Sequence, residues 1–398
     1  MRIKLNVLTL ALLLCACLHG FATHAELLVK KQRFDLAEFN TFAGKTIKQV
    51  AIGYESYGTL NADKSNVVLI THYFSANSHA AGKYALDDAQ AGYWDAIIGP
   101  GKAIDTDKYF VISIDSLANL NAFDPNTITT GPASIDPDTG KPYGLNFPVV
   151  TIRDFVISQK LLLESLGISS LHAVVGASMG SLQALDWAAA YPSWVPRMIS
   201  VIGSGQTDAW TTSLLERWAM PIRLDKNWQG GDYYAYIAPQ EGLVESMMAI
   251  TLDALTPTFI NQVGQSPEVQ HSPLQTQPLH DINASFAIVD WLRERATLRV
   301  KHMDANHLLY LVRANQLFIA GYHQNLAAGM QRVTAKTLFL PASSDLLLRP
   351  YLAEEAHATL KQQGKDTELI YLDGIYGHLV GVSNIAQQAD TIRQFLAN

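Results

Sequence analysis

The chain has 398 residues, 48% of them hydrophobic, which is enough material for a large core carrying an inserted region. Its formal net charge of -7, with no basic cluster beyond the N-terminus, excludes a nucleic-acid-binding protein. There are no internal repeats and no low-complexity tracts.

At the N-terminus, Arg2 and Lys4 precede an apolar run from Val7 to Leu18, and Ala22-Thr23-His24-Ala25 supplies small residues before Glu26. This is the pattern of an export signal over residues 1–25, and it predicts a periplasmic or secreted protein. The apolar run is short for a bilayer, and no other stretch approaches the needed length, so no membrane span is expected. The rival is a lipoprotein signal, with Leu14-Cys15-Ala16-Cys17 as the lipobox and Cys17 acylated. Both cysteines lie in this segment, so a chain starting at Glu26 has no disulfide, thiol nucleophile or cysteine metal site.

From Glu26 to about residue 205, strand-like runs alternate with helical patterns: Ile47-Ala51 with Gly53-Tyr57, Val67-Thr71, Tyr109-Ile114, the helix Ile152-Leu166, and Met198-Gly203. Alternation of this kind predicts an α/β fold, a mostly parallel sheet with helices on both faces. Gly131 to Pro148, rich in Gly, Pro and Asp, reads as a long loop.

The stretch Gly176-Ala177-Ser178-Met179-Gly180 carries the chemistry. An apolar run, His172-Val175, leads into it and a helical pattern, Leu182-Ala188, leads out, which is strand, sharp turn and helix with a serine at the tip. Glycines two before and two after the serine allow the close approach of backbone that such a turn requires. Ser178 is the candidate nucleophile, and the Met179 N–H, at the start of the helix, is a candidate oxyanion donor. A second donor is expected from the loop after Val67-Thr71, and position assigns it to Phe74. His72 and His79 nearby have no metal-ligand company at a known spacing, so no metal is expected.

From about 206 to 330 the strand-like runs thin out and helical periodicity with aromatics takes over, Trp210, Trp218, Trp228, Tyr233, Tyr234 and Tyr236 among them. This reads as a helical lid inserted into a core made of 26–205 and 331–398. Its aromatics mainly pack the lid helices on each other. Beyond it, Thr337-Leu340 is a short strand whose following loop delivers Asp345, and Leu369-Leu372 is a strand followed by His378. The order Ser, Asp, His is the one this architecture uses. His378 is the candidate general base and Asp345 its orienter. Asp373 is the rival orienter, but it sits close to His378 in sequence and before the catalytic loop.

Several runs together resemble the homoserine O-acetyltransferase family of α/β-hydrolase-fold enzymes. They are Tyr54-Glu55-Ser56-Tyr57-Gly58-Thr59-Leu60-Asn61, Ser78-His79-Ala80-Ala81-Gly82, Trp94-Asp95 through Gly99-Pro100-Gly101-Lys102, Gly131-Pro132-Ala133-Ser134-Ile135-Asp136-Pro137, the serine turn, Asp304-Ala305-Asn306 and Tyr376-Gly377-His378. The resemblance implies the α/β-hydrolase fold and the triad Ser178, Asp345 and His378. It also implies ping-pong transfer of an acetyl group from acetyl-CoA through the serine to an acceptor hydroxyl, with no bound cofactor. A homodimer is the implied assembly.

Against the family pattern, Leu379 stands directly after His378 where the family has an Asp that helps bind homoserine. The family's carboxylate-holding Arg in the first part of the lid falls near Ala219, with Arg217 and Arg223 close but off register. Tyr73-Phe74-Ser75-Ala76 replaces smaller residues and a glycine. Leu379, Arg217 and Tyr234 are the candidate substrate-binding residues. The expectation is a serine acyltransferase whose acceptor is not homoserine, acting on a small ester or thioester. An exported esterase or thioesterase using the same triad is the alternative, and a non-catalytic scaffold the third reading.

Overall fold

The computed structural model describes residues 27–398, so the expected export signal and Cys17 lie outside the described residues. The central sheet is built from β1 (Gln32–Asn40), β2 (Thr46–Tyr57), β3 (Val67–Thr71), β4 (Phe110–Ile114), β5 (Ala173–Ala177), β6 (Arg197–Val201), β7 (Lys336–Leu340) and β8 (Thr367–Leu369). In space the order is β1-β2-β4-β3-β5-β6-β7-β8. β2 is antiparallel to both β1 and β4, and every other pairing is parallel.

The central strands are apolar throughout because both faces of the sheet are covered. Val67 and Leu69 of β3 point into one core and Val68 and Ile70 into the other, following the two-residue period of a strand. On the first face lie α1 (Ile152–Ser165) and α2 (Met179–Ala190), with Phe155 and Leu182 in that core. α1 starts on a capping box, in which Thr151 and Asp154 exchange side-chain and backbone bonds.

Between β6 and β7 the chain runs through α3 (Ala209–Leu224), α4 (Gln240–Ala254), α5 (Pro257–Gly264), α6 (Thr276–His280), α7 (Ala287–Arg299), α8 (Ala305–Gln316) and α9 (Leu326–Gln331). α3 packs on α4 and α8, and α4 packs on α7. Their buried residues, Leu215, Trp218, Met247 and Ala296 among them, continue the first core. After β7 come α10 (Pro350–Gln362), α11 (Val380–Ser383) and α12 (Ala389–Ala397). Ile392 and Phe395 of α12 close the second face. No single helix among the described residues is long and apolar enough to cross a membrane.

The sequence differs from this in places. Ile47-Ala51 and Gly53-Tyr57 form one continuous β2, with Gln49 taking up a left-handed kink at φ 53°. β1 was not anticipated, because it is an edge strand with most side chains exposed and so lacks a full apolar signature. The run expected over Leu369-Leu372 pairs earlier, as β8, and Leu372 makes only an isolated bridge to Ala342.

Candidate active site

Ser178 sits at the tip of the turn from β5 into α2, with φ 55° and ψ -123°, a backbone conformation that side-chain-bearing residues rarely adopt. Its neighbours force it there. A Cβ on Gly176 would lie 2.1 Å from the Gly180 carbonyl oxygen and 2.2 Å from Thr71 Oγ1, and one on Gly180 would lie 2.0 Å from the Thr71 carbonyl oxygen. The Thr71 hydroxyl donates to the Gly180 carbonyl at 2.7 Å, and the Ser178 N–H donates to the Val201 carbonyl at 2.9 Å. The ends of β3, β5 and β6 thus clamp the turn, and the side chain is left pointing off the sheet.

His378 belongs to a short 3-10 turn, Gly377–Leu379, beyond β8. Gly377 opens it with φ 62°, and a Cβ there would meet the Ala254 carbonyl at 2.8 Å, so the C-terminus of α4 presses directly on this turn. His378 Nε2 lies 2.8 Å from Ser178 Oγ, and its Nδ1 lies 2.7 Å from Asp345 Oδ2. Asp345, in the loop after β7, spends its other oxygen on the N–H groups of Leu347 at 2.8 Å and Leu348 at 3.1 Å. All three side chains are buried. Asp373, the rival orienter, is exposed and instead accepts from the Ser343 hydroxyl at 2.9 Å.

Among the described residues, neither the Phe74 nor the Met179 N–H donates to a protein acceptor, and Met179 is the first residue of α2. Phe74 lies with Ser178 in the wall of one cavity, and its ring packs edge-on against Trp218 of α3, with centroids 5.5 Å apart. The chain beyond it is pinned by a buried polar cluster. The Ser78 N–H donates to Asp115 at 2.6 Å, and Glu55 accepts from Lys31, Tyr57, Tyr84 and His79 at 2.6 to 3.0 Å. His72 is structural: its Nε2 accepts the Ser116 N–H at 3.0 Å, which leaves Nδ1 to donate to the Tyr73 carbonyl at 2.8 Å. No group of three or more potential metal ligands occurs among the described residues.

The cavity above Ser178 has a volume of about 350 Å³. Phe74, Leu182, Leu215, Trp218 and Ile250 give it a mostly apolar wall. Its size suits a small substrate.

The chain is similar to known proteins. The family of the α/β hydrolase fold matches residues 89–380. The homoserine O-acetyltransferase of Deferribacter desulfuricans is 35% identical over 361 residues, covering 90% of this chain and 93% of that protein. The chain belongs to the homoserine O-acetyltransferase family. Among solved structures, the homoserine O-acetyltransferase from Bacillus anthracis is 36% identical with a TM-score of 0.89, covering 94% of this chain and 98% of that one. Esterase E22 is 62% identical with a TM-score of 0.90, covering 93% of this chain and 100% of that one. This member of the homoserine O-acetyltransferase family is therefore an acyl-transfer enzyme of α/β-hydrolase type acting on a small molecule.

For the substrate side of this family member, the structure separates the expected residues. Leu379 does line the cavity and is 38% exposed. Arg217 does not: it pairs with Asp253 and is mostly exposed. Tyr234 does not reach Ser178 either. Its hydroxyl donates to Asp304 at 3.1 Å beside Tyr233, in a separate small recess. Ala219, where an arginine was expected to be missing, is fully buried, so a long cation has no room there. For Arg217 the reason is helix rotation: the packing of α3 on α4 and α8 turns Trp218, and not Arg217, to the cavity. The packing of α7 on α4 brings in a residue that sequence reasoning missed, Arg299 at the end of α7. No motif marks it, and it is far from Ser178 along the chain.

Proposed function

We propose that the enzyme hydrolyses small esters through an acyl-Ser178 intermediate, with water and not homoserine as the acceptor. The observation that carries this reading is the cavity wall, which contains no Asp or Glu and presents Leu379 beside His378. A homoserine ammonium in that space would lose water and gain no counter-charge, at a cost of several kcal/mol. The likeness to esterase E22, at 62% identity, supports the same reading.

In this mechanism Ser178 Oγ attacks the ester carbonyl while His378 Nε2 takes its proton. Asp345 holds the imidazole with its Nδ1–H toward the carboxylate and stabilises the imidazolium. The N–H groups of Met179 and Phe74 receive the oxyanion. His378 returns the proton to the departing alcohol, then activates a water that releases the acid from Ser178. Residues 1–25 are read as an export signal, with lipidation at Cys17 the lesser alternative; outside the cytoplasm acetyl-CoA is not at hand, which again favours an ester donor. Transfer to a hydroxyl acceptor other than homoserine is the second reading, supported by the transferase relatives.

The test follows thiol release from acetyl-CoA with and without L-homoserine, beside hydrolysis of an aryl acetate, with Ser178→Ala as control. Aryl acetate hydrolysis that needs Ser178 and ignores homoserine is the expected result. Thiol release that depends on homoserine would overturn the proposal.

A further inference from the structure

The cavity over Ser178 holds one formal positive charge, Arg299, and no acidic side chain lines it. Arg299 Nη2 donates to Ser75 Oγ at 2.9 Å and Nη1 to Thr251 Oγ1 at 3.2 Å. Among the described residues it has no carboxylate partner, so most of its five donors are unengaged. The side chain is solvent-accessible by surface yet densely surrounded by protein, and desolvation lowers its pKa from the ordinary guanidinium value, with only Tyr73 acting in the opposite sense. Arg299 is both exposed and part of the cavity wall, so a ligand filling the cavity meets it. A position at the C-terminal end of α7 suits a cation, but does not account for a guanidinium braced by two hydroxyls in a mostly apolar wall.

We propose that Arg299 seats a carboxylate carried by the substrate, so that the preferred esters have an anionic arm. The inference rests on the ester chemistry proposed for Ser178 and adds the substrate class. Ser75 and Thr251 accept from the guanidinium and so fix its plane, which leaves a planar fork for the two carboxylate oxygens. Ser178 and Arg299 line the same cavity of about 350 Å³, a volume on the scale of a small ligand. Ser75 directly follows Phe74, so the anion and the expected oxyanion share one loop.

The test compares aryl acetate with the aryl half-ester of glutaric acid, in wild type, Arg299→Gln and Arg299→Lys. Gln retains hydrogen bonding to Ser75 and Thr251 without the charge; Lys retains a charge without the fork. The ratio of kcat/KM for the half-ester over the acetate is expected to fall about ten- to hundredfold in Arg299→Gln and less in Arg299→Lys. Free glutarate should bind the Ser178→Ala protein by calorimetry and not bind the Ser178→Ala, Arg299→Gln double variant. Equal losses on both esters would make Arg299 a brace for the Phe74 loop and overturn the proposal. So would inorganic phosphate binding in place of glutarate, or unchanged ratios. Hydrolysis that survives Ser178→Ala would instead sink the Ser178 chemistry, while glutarate binding would still report on Arg299.

Discussion

Gly180 passes so close to Thr71 that a methyl group on it would lie 2.0 Å from the Thr71 carbonyl oxygen. Both partners at this contact are backbone, so no side chain can swing aside. Gly180→Ala must push β3 away from the start of α2, and the expected loss of stability exceeds about 3 kcal/mol. Thermal unfolding of the purified variant checks this; a midpoint within a degree of wild type would refute it.

Asp345→Asn separates chemistry from stability. One oxygen of Asp345 accepts from Leu347 and Leu348, and an Asn carbonyl can take over that role. The amide NH2 then faces His378 Nδ1, 2.7 Å away in the wild type, and turns the imidazole into the wrong tautomer. The prediction is a fall in kcat of about 10³- to 10⁴-fold with unfolding changed by less than about 1 kcal/mol. Steady-state kinetics and a denaturant titration on the same preparation decide it.

Arg217 is predicted to be silent. Its partner Asp253 already accepts from the Trp218 indole at 2.7 Å, and the arginine itself is mostly exposed. Solvent screens the arginine side of this pair while Asp253 keeps its indole bond, so the pair contributes about 0 to 1 kcal/mol. Arg217→Ala should leave ester kinetics within about twofold and stability within that range. A large rise in KM would return Arg217 to the substrate site.

Acid stability should depend on Glu55. Burial alone would raise its pKa, but hydrogen bonds from His79, Tyr84 and Lys31 and the Lys31 charge outweigh it and hold the carboxyl at about 2, below its ordinary 4.5. Because the folded value is the lower one, the unfolded chain takes up the proton first as pH falls. The stabilisation is complete above about pH 4.5 and is lost between there and about pH 2. Its size is on the order of 3 kcal/mol. Glu55→Gln should therefore be less stable at pH 7 and lose less on acidification than wild type. Melting curves at pH 7, 4 and 3 test this; parallel losses in the two proteins would contradict it.

The catalytic candidates were legible because each is announced locally. A glycine-flanked serine between an apolar run and a helical pattern specifies the turn at Ser178, and chain order then leads to Asp345 and His378 through the loops after two short strands. The part of the site built by the helices between β6 and β7 was not legible. Arg217, Tyr234 and Arg299 all sit on or beside helical segments with mixed polar faces, and which face meets the cavity depends on neighbours far away in sequence. β1 escaped for a related reason, since Phe34 and Leu36 are only partly covered at the sheet edge.

Ser178 and His378 meet across 200 residues of chain. During synthesis the serine leaves the ribosome long before its base exists. The strands that clamp its turn can form around it, but β7 and β8 must still arrive before the histidine loop can dock. A nascent or prematurely ended chain thus holds a nucleophile with nothing to deprotonate it. Acyl transfer at Ser178 therefore waits until the segments after β7 have folded onto the sheet.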